Sequence, residues 1–226
     1  MNMAMTADGK IATANRAVSS FGSARDLEHL YELRATADAV MCGARTVEAS
    51  GTLLGTGGAR FRRQRLENGL AECNLRVIVS GSGSIDPRAP IFNQGLSSII
   101  ILTTERVSSK NLTQLTGLAD EVKVCGKSEV NFPAAVRWLR QKWAVKRLLC
   151  EGGGELNDAL FRADLVDEIN LTICPKIVGG RLAPTISDGS GFPKLALAKP
   201  FRFHSRRVLK GELFTVLLRD KNGSPA

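Results

Sequence analysis

The chain has 226 residues, enough for one α/β domain and short of two comfortable ones. Its 31 Lys and Arg outnumber 22 Asp and Glu, a formal charge of +9 that favours anionic partners. No apolar run reaches the roughly 18 residues of a membrane span. Residues Met1 to Lys10 lack the basic and apolar regions of a signal peptide, so a cytoplasmic protein is expected.

The five cysteines, Cys42, Cys73, Cys125, Cys150 and Cys174, are scattered without a CxxC pair, which excludes a disulfide framework. His29 and His204 have no metal-ligand neighbours, so no metal site is expected. The densest cation cluster is Arg60, Arg62, Arg63 and Arg65. Aromatics make up 5%, too few to supply the stacking platforms of a nucleic-acid binder. The cluster therefore reads as a solvated or phosphate-steering loop.

In chain order, Asp8-Gly9 is a turn pair within Ala4 to Ala12. A helix is predicted over Ser23 to Thr36, opened by Ser23 with Asp26 three residues on, as in a capping box. Asp38 to Gly43, Arg76 to Ser80, Ser98 to Thr103 and Arg147 to Cys150 are near-continuous apolar runs, the mark of strands buried on both faces. Glu121 to Val124 is a weaker fifth strand. Pro133 opens a helix to Trp143 with Ala135, Val136, Leu139 and Trp143 as its apolar stripe. After Asp167, Glu168 to Ile173 alternates, and Phe201 to Val208 with Glu212 to Leu218 read as a closing antiparallel hairpin about Lys210-Gly211. The sum is a mixed, mostly parallel central sheet flanked by helices, in a single domain over 1–226 with a frayed tail at 221–226.

Three stretches carry chemistry. Glu151-Gly152-Gly153-Gly154-Glu155-Leu156 follows a buried strand and opens a helix, so backbone N–H groups and a helix N-terminus could receive a pyrophosphate. Its spacing is not the GxGxxG of a Rossmann fold, and a tight turn without ligand is the plain alternative. Glu151 ends its strand just before that turn, where a carboxylate could meet a hydroxylated substrate or join a surface salt bridge. Thr46, after Gly43, offers a hydroxyl near a short helix start, suited to a phosphate or to ordinary capping. Ser80-Gly81-Ser82-Gly83-Ser84 and Lys127 offer hydroxyls and a cation that can hold a phosphate.

Taken together, Asn2 to Ala12, Leu33 to Val47, Leu149 to Leu156, Leu165 to Glu168, Pro175 to Gly180 and Ser187 to Phe192 resemble the pyrimidine reductase family of riboflavin biosynthesis. That family occurs as the C-terminal half of bifunctional deaminase-reductases and as stand-alone archaeal and fungal enzymes. The resemblance implies a dihydrofolate-reductase-like fold, a homodimer, and NADPH reduction of a ribosylaminopyrimidine phosphate to its ribitylamino form. It places Gly152, Gly153, Gly154, Glu155 and Leu156 at the coenzyme phosphates, Ala4 and Thr46 along the coenzyme, and Ser80 with Gly81 near its adenosine. Ser19 or Ser20, Arg34 and Glu151 approach the substrate. Glu151 and Asn2 are the residues it puts at the reaction, and Asn2 stands where the archaeal-type enzymes carry asparagine and the bifunctional ones lysine.

The chain departs from the family after Val47. An acidic pair, a proline and a basic residue give way to Glu48-Ala-Ser50-Gly51-Thr52-Leu53-Leu54-Gly55, which leaves a pterin-like or other substrate as an alternative to the pyrimidine. A retained nucleotide pocket without turnover, or a basic nucleic-acid binder, is the further alternative. The chain lacks the His/Cys/Cys zinc signature of the companion deaminase, so that activity is not expected of it.

Overall fold

The computed structural model describes residues 1–16, 22–95 and 97–220. Ser19, Ser20 and the tail at 221–226 lie outside the described residues. In chain order these form β1 (Asn2–Thr6), α1 (Ala24–Arg34), β2 (Ala39–Gly43), α2 (Ala44–Ser50), α3 (Ala59–Glu67), β3 (Leu75–Val79), β4 (Ile99–Thr103) and α4 (Ser109–Thr116). They continue with β5 (Glu121–Val124), α5 (Phe132–Trp143), β6 (Leu148–Cys150), α6 (Gly154–Arg162), β7 (Glu168–Cys174), β8 (Phe201–Leu209) and β9 (Glu212–Arg219). Among the described residues, no helix is long and apolar enough to cross a membrane. The chain divides into two compact units, Leu30–Glu151 and a second made of Met1–His29 with the residues from Gly152 onward.

The Leu30–Glu151 unit holds a five-stranded sheet in the order β5-β4-β3-β2-β6, with every pairing parallel. The apolar runs of β2, β3 and β4 bury both faces, as parallel strands between helices require. On one face Val40, Cys42, Ile78, Ile99 and Ile101 pack with Val47, Leu54, Ile91 and Leu115 into one core cluster. Leu54 enters it with a left-handed backbone, φ 51°, at a cost of about 1–2 kcal/mol. Full burial of its side chain returns about 1.5–3 kcal/mol, so the strained turn is held by the core.

The arginine cluster expected as a loop is helix α3, and its members part company there. Arg65 is 1% exposed and donates to the carbonyls of Ala71 (2.7 Å), Arg34 (2.8 Å) and Ala37 (2.5 Å). It is a staple for chain turns, whereas Arg60 and Arg63 remain on the surface. Arg76, inside β3, is likewise buried and donates to the Ile91 and Ser97 carbonyls.

The other unit holds a four-stranded sheet, β1-β7-β9-β8. β1 and β7 run parallel, and β7, β9 and β8 are antiparallel. The expected hairpin is present: Leu209 pairs with Glu212 across Lys210-Gly211, both at positive φ (51° and 83°), the two-residue turn that suits strand twist. Ser23 caps α1, its Oγ accepting from the backbone N–H of Arg25 and of Asp26 at 3.2 and 3.3 Å. The capping box is not reciprocal, because the Ser23 N–H donates to Glu212 (2.7 Å) rather than to Asp26. Asp26 accepts instead from Thr172, and burial, with the charge of Glu212 adding, raises its carboxyl above the usual value.

Candidate active site

In the five-stranded sheet the chain leaves β2 toward β3, β4 and β5 on one side, then returns to β6 on the other. The carboxyl ends of β2 and β6 therefore mark the topological switch point, where open parallel sheets bind ligands. Glu151 follows β6 there, its N–H donating to the Met41 carbonyl at 2.9 Å.

Arg34 and Glu151, two of the expected substrate residues, meet each other. The guanidinium donates through Nε and Nη2 to the two carboxylate oxygens, both at 2.7 Å, in a fork-to-fork pair. Arg34 is 4% exposed. Its remaining donors reach the Gly55 carbonyl (2.6 Å) and the Thr52 hydroxyl (3.5 Å). Burial works against the Arg34 charge, but the carboxylate and its hydrogen bond outweigh it and raise the guanidinium above its ordinary value. The pair is thus neither a surface salt bridge nor an open carboxylate. It is a buried clasp that ties the Gly51–Gly55 segment, where the chain departs from its family, to the end of β6.

Thr46 is the third residue of α2, whose N-cap is Gly43 with no side-chain cap, so Thr46 is not the cap itself. Its hydroxyl is set against the Cys42 thiol, which burial, reinforced by the Glu151 charge, pushes well above the ordinary thiol range. Cys42 itself is 1% exposed. Ser80 and Gly81 stand at the carboxyl end of β3, next to β2. Ser80 is buried with its Oγ donating to the Ser84 carbonyl (3.2 Å), and the Gly81 carbonyl accepts from Thr104 (2.6 Å), so this loop is braced by its own hydroxyls.

In the other unit, Gly152, Gly153 and Gly154 lead into the nine-residue α6. Gly152 has φ +84°, and a Cβ there would lie 2.8 Å from the Met3 sulfur. A Cβ on Gly154 would lie 2.7 Å from the Thr185 carbonyl oxygen. Two of the three glycines are therefore demanded by packing against the chain itself. Gly153 is half-buried at the N-cap and offers no side chain to cap the helix. Glu155, exposed in the first turn, competes for the same positive helix end. Asn2 and Ala4 pair with Asn170 and Thr172 and share one face of β1, opposite Met3. The Asn2 Oδ1 is buried and has no hydrogen-bond partner among the described residues. An uncapped helix start with an accessible glycine, and an orphaned amide oxygen on β1, fit an anionic dinucleotide that also carries hydrogen-bond donors.

Three residues escaped the sequence reading. Asn157 and Asp158, 0% and 2% exposed, are buried polar residues one turn into α6, and Asp188 lies against Gly154. Their signal was present in the polar pair that interrupts the Leu156–Leu160 stripe and in the Ser187 to Phe192 match.

The five-stranded parallel sheet with its helices, and the four-stranded sheet that ends in an antiparallel hairpin, make this an α/β protein of the dihydrofolate-reductase-like class. The description RibD C-terminal domain matches residues 1–209, and the chain belongs to that family. A reductase of Archaeoglobus fulgidus, named 2,5-diamino-6-ribosylamino-4(3H)-pyrimidinone 5′-phosphate reductase, is 33% identical over 86% of this chain and 87% of its own. A relative of the same name from Methanothermobacter thermautotrophicus is 33% identical over 87% and 86%. Among solved structures, a pyrimidine reductase-like protein of Corynebacterium diphtheriae shares the fold with a TM-score of 0.85 at 20% identity, covering 98% of this chain and 91% of that one.

Proposed function

We propose that this chain reduces a ribosylaminopyrimidine 5′-phosphate to the ribitylaminopyrimidine 5′-phosphate of riboflavin biosynthesis, with NADPH as the reductant. The observation that carries this reading is the match, at 33% identity over 86–87% of each chain, to reductases named for that substrate class. The switch-point position of Glu151 and the uncapped start of α6 support it.

When bound, the reduced nicotinamide supplies a hydride to the carbon that was the sugar's anomeric centre. The chain's own residues bind and orient. In one unit, the backbone at Gly153, Gly154, Glu155 and Leu156 receives coenzyme phosphate, with Gly152 setting the turn, while Ala4 lines the coenzyme and the Asn2 amide oxygen accepts a hydrogen bond. In the other, Thr46 and the Ser80-Gly81 loop serve the coenzyme. Arg34 and Glu151 hold the substrate side of the switch point. Both Glu151 oxygens already accept from Arg34, so the pair positions groups rather than delivering a proton. Ser19 or Ser20 also approaches the substrate in this reading, and the enzyme is a cytoplasmic homodimer.

The test is loss of reduced-coenzyme absorbance with the amino and the deaminated pyrimidine phosphates offered separately, NADPH and NADH in parallel. Turnover of either pyrimidine supports the reading, and a preference for NADH would correct the coenzyme. Tight NADPH binding with silence on both pyrimidines would overturn the substrate.

A further inference from the structure

The segment Thr185–Gly191 crosses the first turns of α6 and interlocks with it. Two glycines face two carboxylates reciprocally. A Cβ on Gly154 of α6 would come within 3.0 Å of the Asp188 carboxylate, and a Cβ on Gly189 would overlap the Asp158 carboxylate. Hydrogen bonds run both ways across this contact. The Asp188 N–H donates to the Gly154 carbonyl (3.1 Å), the Asn157 amide to the Ile186 carbonyl (2.8 Å), and the Gly191 N–H to Asp158 (3.1 Å). Asp188 itself is held by Thr185, whose N–H and hydroxyl donate to its two oxygens at 2.8 and 2.6 Å. Asp158 is held from its own helix by Arg162 at 2.8 Å.

The geometry points to Asp188 and Asp158 as positioning residues that fix the Gly152–Glu155 turn in the shape that receives the coenzyme phosphates. This rests on the reading of that turn as the phosphate site. Carboxylates next to an anion site would ordinarily weaken it by like charge. Here the Asp188 oxygens accept from Thr185 and an Asp158 oxygen accepts from Arg162, so each charge is met locally and the residue acts through shape. Backbone N–H groups bind an anion well only when they already converge, and a glycine-rich turn held on one side only would lose that order to backbone freedom.

The strap is itself anchored at its start. Lys10 pairs with Thr185 as an isolated bridge, and the Ile11 N–H donates to the Pro184 carbonyl (2.9 Å). The Asp8 carboxylate accepts from the Val178 and Gly179 N–H groups (3.2 and 2.7 Å). Four of the six matched stretches, around Asp8, Gly152, Val178 and Asp188, therefore converge on one support.

The experiment compares Asp188→Ala, Asp188→Asn and Asp158→Asn in the full chain by NADP⁺ and NADPH binding titration, with amide exchange at Gly154 to Leu156 as a second readout. Asp188→Ala is expected to weaken coenzyme binding at least about tenfold and speed exchange in that turn, while the pyrimidine KM changes less than about threefold. Asp188→Asn, which keeps an acceptor for Thr185, is expected to restore most of the affinity. A folded Asp188→Ala protein that binds coenzyme like the parent overturns the strap. Tighter binding by Asp188→Asn than by the parent also overturns it, since the aspartate would then act by charge. If the parent protein binds neither coenzyme, it is the phosphate-site reading that fails instead.

Discussion

Replacing Glu151 with glutamine strands a charge inside the Leu30–Glu151 unit. The Arg34 and Glu151 side chains are 5% and 10% exposed, so water cannot take over the lost partner. Removing one member of such a buried pair costs about 3–5 kcal/mol. Glutamine keeps one acceptor oxygen, and Gly55 and Thr52 still receive from Arg34, which puts the expected loss at the lower end, about 3 kcal/mol. For a chain of this length that corresponds to a fall in melting temperature of roughly 6–12 °C. The assay is thermal unfolding of Glu151→Gln beside the double variant Arg34→Met/Glu151→Met. An apolar pair of similar volume removes both charges together, so the double variant should melt well above the single one. A single variant melting within about 1 °C of the parent would refute the stranded charge. So would a double variant no better than the single.

Other outcomes follow from the same coordinates. Arg65→Met removes a charged donor from three carbonyls, of which those of Arg34 and Ala37 keep the Asn74 amide at 2.8 Å, so it should cost about 1–3 kcal/mol in all and unfold earlier in urea than Arg63→Met on the exposed side of α3. Gly152→Ala should cost about 1–3 kcal/mol from its φ of +84° and the Met3 contact, and the same change made in a Met3→Ala background should cost less by the contact share alone. Asp8 is held down to about 2 from the usual 3.8, first by the Thr6 hydroxyl and then by the Gly179 N–H. A lowered carboxyl stabilises the fold above its unfolded value and loses that contribution as pH falls through the folded one. Asp8→Asn should therefore melt below the parent at neutral pH and match it near pH 2; an unchanged gap across that range would contradict the assignment.

The parallel strands were legible because burial on both faces leaves almost no polar residue in Asp38 to Gly43 or Ser98 to Thr103. The hairpin was legible from Lys210-Gly211 between alternating runs. Helix α3 was not, because Ala59–Glu67 carries four arginines, and a guanidinium reads as surface until the carbonyls it satisfies are seen. Helix α4, with its polar sequence Ser109–Thr116, gives little apolar stripe to read. At the site, the glycine turn and Glu151 were visible as local patterns. The Arg34–Glu151 clasp was not, since its halves stand 117 positions apart and each alone resembles a substrate contact. The same holds for Gly189 against Asp158: the reason for the glycine lies in another element.

Because Leu30–Glu151 is one continuous stretch while the other unit is assembled from both chain ends, the two cannot form on the same schedule. During synthesis the five parallel strands can pair as soon as β6 leaves the ribosome. β1 has no partner until β7 arrives, with Met1 and Glu168, now hydrogen-bonded, standing 167 positions apart. Closing so long a loop costs chain entropy that only late contacts offset. The β1 strand, with Asn2 and Ala4 on it, is thus made before the Leu30–Glu151 unit and meets its partner only after that unit is complete.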